Sequence, residues 1–124
     1  MSLDEFKPPR YITRQPYLTV VIERKTNGGY FYINASAVRK FKLQNFDFVT
    51  FLHDKKEGLF GLRIDKTRKD TSYKITHQAD TAARIAARSF IKSTRLLELT
   101  EKRRFELFRE CEDTIAFKVD LGGQ

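Results

Sequence analysis

From position 17 to 64 the chain alternates short apolar runs with turn-forming clusters, a rhythm that suits strands better than long helices. Tyr17–Glu23 contains Leu18, Thr19, Val20, Val21 and Ile22, β-branched and aliphatic residues that predict a buried strand. Thr26-Asn27-Gly28-Gly29 follows and supplies the positive-φ tolerance that a tight hairpin turn demands. Tyr30-Phe31-Tyr32-Ile33 is the returning strand. Asn34 can cap a helix by accepting a hydrogen bond from a free N–H of its first turn. That helix runs over Ala35–Phe41, with Ala37, Val38 and Phe41 inward and Arg39, Lys40 and Lys42 outward. Leu43 anchors its exit and Asn45–Asp47 forms a turn. Phe48–Leu52 and Leu59–Ile64 make a second hairpin around the charged turn His53–Gly58.

The flanking segments read differently. Residues 1–16 carry Pro8, Pro9 and Pro16, and the residue before a proline is pushed toward extended geometry, so this part is an arm. Residues 65–72 are polar and basic and read as a linker. After a short strand at Tyr73–Thr76, the periodicity predicts a long helix opening at Ala79 or Asp80. Its apolar face is Ala82, Ile85, Ala86, Ser89, Phe90, Leu96 and Leu97. Thr100 then caps a second helix over Glu101–Arg109, Cys111–Asp113 turns, Thr114–Val119 is a last strand, and Leu121–Gln124 frays. The expected fold class is α+β: a small β-barrel-like domain over 17–64, then a helical sub-domain over 73–124 with one or two short strands.

Composition narrows the class of protein. Of 124 residues, 40% are apolar and 16 are Phe or Tyr, enough for a real core. The longest apolar runs fall far short of the roughly 20 residues that span a bilayer. Asp4, Glu5 and Pro8-Pro9 interrupt any leader-like stretch, so no secretory signal is expected. Cys111 is the single cysteine, set among acids, which fits a free thiol in a reducing cytoplasm. The net charge of +8 is uneven: residues 1–64 hold 11 bases and 6 acids, and Asp80 to Leu97 holds four bases and one acid. Glu98 to Asp113 reverses this, with four bases and six acids. Such a basic chain favours polyanionic partners through counterion release.

No catalytic or cofactor chemistry emerges. His53 and His77 each lack a second ligand at metal-binding spacing. The acids Glu98, Glu101, Glu106, Glu110, Glu112 and Asp113 alternate with bases and suit a solvated helix face. No phosphate-binding or nucleophile motif is present, so neither an enzyme nor a metal or cofactor site is expected. The sharper pattern is Arg84, Arg88, Lys92 and Arg95, which on a helix fall within a sector of about 80°. Such a stripe can track a phosphate backbone, or it can neutralise the acidic stretch 98–113 folded back against it.

Residues 18–64 carry a resemblance. Gly29-Tyr30-Phe31-Tyr32-Ile33-Asn34, Ala37-Val38-Arg39-Lys40-Phe41-Lys42-Leu43, Asp47-Phe48-Val49-Thr50-Phe51 and Leu59-Phe60-Gly61-Leu62-Arg63-Ile64 together resemble the swapped-hairpin domain of the AbrB/MazE family of regulators and antitoxins. Asn34 stands where the family has proline, and Phe46 where it has glycine. The resemblance implies an intertwined homodimer, each chain giving half of a β-barrel, and a DNA-binding face near the first hairpin with Arg24, Lys25 and Arg39. The functional expectation is therefore a cytoplasmic DNA-binding module, regulator or antitoxin-like, using Arg24, Lys25, Arg39, Arg84, Arg88, Lys92 and Arg95. RNA is the other nucleic-acid candidate. The alternative is a protein–protein adaptor whose C-terminal helices dock a partner and whose basic charge is incidental.

Overall fold

In the first strands of this protein one residue faces a common interior and the next faces out, and the sheet they build is curled into a nearly closed barrel. The computed structural model describes residues 3–4, 15–25, 28–79 and 81–121. Its strands are β1 Tyr17–Glu23, β2 Gly28–Ile33, β3 Phe48–Asp54, β4 Leu59–Asp65, β5 Ser72–His77, β6 Ala83–Ala86, β7 Arg104–Glu106, β8 Phe108–Cys111 and β9 Thr114–Lys118. Three short helices interrupt them, α1 Ala35–Lys40, α2 Arg88–Thr94 and α3 Leu96–Leu99, with a 3-10 turn at Leu43–Asn45.

All nine strands join one antiparallel sheet in the order β7-β1-β2-β6-β5-β3-β4-β9-β8. β5 turns one corner, pairing β3 through Ser72–Lys74 and β6 through Ile75–His77. The opposite corner is closed covalently: the two edge strands, β7 and β8, are separated only by Leu107. Leu107 is buried, and its N–H donates to the carbonyl oxygen of Pro16 at 2.8 Å. Across this corner Phe105 stacks on Phe117 at 4.8 Å.

The interior is filled by Leu18, Val20, Phe31, Ile33, Phe60, Leu62, Ile85 and Phe117, all essentially inaccessible. Phe31 sets its edge against Phe51 at 5.6 Å and Phe117 at 5.9 Å, an arrangement that aligns ring edge and face. One mouth of the barrel is closed by α1, whose Ala37 and Val38 are buried with Phe41 and Leu43 beyond it. The other mouth is closed by α2, through Phe90 and Ile91. The β3–β4 turn at that mouth uses Asp54 Oδ1, which accepts from the N–H groups of Lys56 and Glu57, and Gly58 at φ +67°. A Cβ on Gly58 would lie 2.5 Å from the Val119 carbonyl oxygen, so glycine is required there.

This architecture corrects the α+β expectation. Of the described residues 46% are strand and 19% helix, so the protein is mostly β and its C-terminal part is not helical. The expected helix over Ala82–Leu97 is instead β6, α2 and α3 in succession. Ala83, Ile85 and Ala87 are each buried while Arg84 and Ala86 are not, a period of two that the helical reading overlooked. Long-range pairing of β6 with β2 and β5 outweighs the helix preference of its alanines. The expected helix over Glu101–Arg109 is replaced by β7, Leu107 and β8, where Phe105 and Leu107 alternate with exposed Arg104, Glu106 and Phe108.

Strands from both sides of the 65–72 segment interleave: β6 lies between β2 and β5, and β9 lies beside β4. Val20, Phe31, Ile33 and Leu62 are thereby buried within one chain, whereas Ile22 is 41% exposed. Among the described residues no helix is long and apolar enough to cross a membrane.

Candidate nucleic-acid interface

Gly28 and Gly29 open β2 without side chains, and the end of the barrel that they border takes its shape from that. α2 approaches closely: Ala87 N–H donates to the Gly29 carbonyl oxygen at 3.1 Å, and a Cβ on Gly29 would lie 3.2 Å from Ile91 Cδ1. Between this rim and α2–α3 lies a cleft of about 250 Å³, lined by Ile22, Gly28 and Gly29 on one side and by Arg88, Lys92, Arg95 and Glu98 on the other. Ile91 and Leu97 form its apolar floor and edge.

Three of the four stripe residues therefore converge, although not on one continuous helix. Arg88 and Lys92 sit one turn apart on α2, and Arg95 is the left-handed residue, φ 57°, that turns the chain from α2 into α3. Among the described residues Arg88 and Lys92 make no ion pair. Arg95 lies 3.8 Å from Glu98, both side chains more than 70% exposed, a pairing of little energetic weight. The acidic stretch does not fold back onto the stripe: beyond Glu98 it enters β7 and β8 on the closing corner of the barrel.

Arg24 and Lys25 are exposed in the β1–β2 turn, joining the strand ends that form one wall of the cleft. Thr26 and Asn27, the first half of the expected hairpin turn, lie outside the described residues. Arg39 is elsewhere. It is exposed on α1 at the opposite mouth, and the seven residues of β1 put about 20 Å between the two mouths.

Arg84 stands across the Gly28–Gly29 rim, on the outside of the barrel. Its guanidinium lies 3.8 Å over the ring of Tyr30, with Glu23 Oε1 3.4 Å away. This outer face of β7, β1, β2, β6 and β5 was not singled out from the sequence. Counting across it, Arg104, Thr19, Tyr32, Arg84 and Thr76 stand directly opposite one another on neighbouring strands. Arg104 lies 4.0 Å over the ring of Tyr17. The signal was present in Tyr30-Phe31-Tyr32-Ile33: two buried residues alternate with two tyrosines, which must share the other face. Arg104 was hidden by the helical reading of its segment.

Other candidate chemistry has plain surroundings. His53 stacks on Phe60 at 4.4 Å, and burial pushes its pKa down. His77 Nε2 lies 2.9 Å from the Phe46 carbonyl oxygen. The exposed Cys111 thiol donates to Asp113 Oδ1 at 3.4 Å. Among the described residues no three His, Cys, Asp or Glu side chains gather closely enough to hold a metal ion. No protein-family profile, curated protein or solved structure matches this chain, so the AbrB/MazE resemblance stands on the residues quoted for it.

Proposed function

We propose that this protein is a nucleic-acid-binding module that holds phosphates at the α2 mouth of its barrel. The observation that carries this reading is the convergence of Arg88, Lys92 and Arg95 on one cleft, beside the turn bearing Arg24 and Lys25. Three cations line the cleft against one acid, Glu98, with Arg24 and Lys25 exposed in the adjoining turn, and such an excess of positive charge suits a polyanion. Arg95 strengthens the case. A left-handed residue at a helix end is most cheaply glycine, and an L side chain there costs about 1 kcal/mol. An arginine in that conformation is placed at some expense to stability.

Regulators and antitoxins of the kind the resemblance implies would use such a surface, and we place the protein in the cytoplasm, where an exposed thiol stays reduced. A protein-adaptor reading has one observation in its favour: Ile22 and Leu97 are both more than a third exposed along the same cleft. The three cations that line it favour the polyanion.

The test is binding of a labelled oligonucleotide followed by anisotropy between about 50 and 200 mM salt. Affinity is expected to fall steeply with salt. Arg88→Ala with Lys92→Ala should shrink the slope of log K against log salt by about one to two units. An unchanged slope in the double variant, or no binding at the low-salt limit, contradicts the proposal.

A further inference from the structure

Phosphate contacts alone leave the outer face of β1, β2 and β6 unexplained. Of the five tyrosines in the chain, Tyr17, Tyr30 and Tyr32 all emerge on it, half-buried, where threonine or lysine would serve a solvated sheet face as well. Two are overlaid by arginine. Arg84 reaches diagonally from its position opposite Tyr32 to lie over Tyr30, and Arg104 reaches diagonally from opposite Thr19 to lie over Tyr17. The two arginines stand three strand spacings apart, about 14 Å, with Thr19 and Tyr32 between them. Glu23 beside Arg84 and Glu106 opposite Tyr17 are the acids of this face, and Lys74 adds a third cation.

Planar groups set flat against a sheet and interleaved with positive charge fit one class of ligand. A guanidinium over a phenol ring presents its own second face, and unpaired bases stack on both aromatic and guanidinium planes. A duplex keeps its base faces inside its own stack, so such a surface gives it nothing that phosphate contacts do not. The face also meets the phosphate cleft directly, since Gly28 and Gly29 border the cleft on one side and the Tyr30–Arg84 surface on the other.

We infer that this outer face is a base-stacking platform for single-stranded nucleic acid, with Tyr32 and the Arg84–Tyr30 pair taking the base faces while Arg88, Lys92 and Arg95 hold the phosphates. The inference rests on the nucleic-acid reading above and specifies its ligand. It is tested with oligodeoxyuridylate and oligouridylate of about 20 nucleotides, which differ only in the sugar, and a duplex of equal length. Either single strand should bind more tightly than the duplex, and the tighter of the two names the sugar. Tyr32→Ala should weaken single-strand binding at least about fivefold without changing the salt slope, whereas Tyr32→Phe should bind like the natural protein. The chain has no tryptophan and three of its five tyrosines lie on this face, so tyrosine emission should be partly quenched by either single strand without any substitution. That second readout holds even if Tyr32→Ala does not fold. Salt-dependent binding with no quenching and no preference over duplex overturns the platform alone. Absence of binding to every oligonucleotide overturns the platform together with the reading beneath it.

Discussion

The ring of Phe90 lies flat on the ring of Phe51, centroids 4.5 Å apart and planes within 4°. This contact sets α2 on the barrel mouth. Phe90 also turns its edge to Phe31 at 6.1 Å and to Phe60 at 5.9 Å, so one side chain touches strands from both halves of the sheet. A seven-residue helix has no stability of its own. The positions of Arg88 and Lys92 are therefore inherited from where Phe90 and Ile91 are seated.

Phe90→Ala should accordingly cost about 2–3 kcal/mol in urea melts, since a half-buried ring and its stack are lost together. Oligonucleotide affinity should fall as well, although no charge is removed. Phe90→Leu should restore much of both. A stable Phe90→Ala variant with natural affinity would show that α2 is held by something else.

Arg95→Gly separates stability from binding. Glycine accepts φ 57° without steric cost, so the variant should be as stable as the natural protein or more stable by about 1 kcal/mol. Binding should nevertheless weaken and the salt slope should drop by about one unit. A stability loss with unchanged affinity would make Arg95 a structural residue.

Asn34 joins three segments. Its Oδ1 accepts from Ala37 N–H at 2.9 Å and from Tyr17 N–H at 3.0 Å, and its Nδ2 donates to the Gln15 carbonyl oxygen at 3.0 Å. Asn34→Ala should cost about 1–2 kcal/mol. Asn34→Asp keeps both accepted bonds but sets an oxygen against the Gln15 carbonyl oxygen where Nδ2 donated, so it should still destabilise, though less than alanine. Equal losses in denaturant melts would deny the cap its role.

These elements mark where the sequence could be read and where it could not. Asn34 was legible because a cap is a local device, and so were β1 to β4, whose turns and partners are near neighbours in the chain. β6 and β7 were not. Ala83-Arg84-Ile85-Ala86 fits a helix face as well as a strand, and the choice is made by β2, some 50 residues earlier. β7 is three residues long and pairs with β1 across most of the chain. The cationic cleft was half legible: its residues were named from a helical stripe, but a left-handed bend at Arg95 gathers them. The tyrosine face required knowing which side of the sheet was inside.

Stability should respond to pH in two separate windows. Burial holds the His53 pKa below its ordinary 6.5, so the unfolded chain takes up this proton first. The contribution of neutral His53 is complete above 6.5 and is lost as pH falls from there through the folded value. Asp65 is held below its ordinary 3.8 chiefly by Lys69, and Asp113 below the same value chiefly by Thr114, so theirs is lost only in stronger acid. The melting temperature should fall slightly as pH drops below the ordinary 6.5 of His53, and His53→Phe, which keeps a ring on Phe60, should flatten that dip. An identical dip in the variant would assign it to another group.

Nucleic acid bound as proposed lies along the α2 mouth and the tyrosine face next to it. Photocrosslinking a 4-thiothymidine oligonucleotide to the natural protein and mapping the attached peptides tests this most directly. Adducts are expected in the stretches holding Tyr30 and Tyr32 and in Arg84–Arg95. Adducts confined to Arg39–Lys42 on the opposite mouth would contradict it.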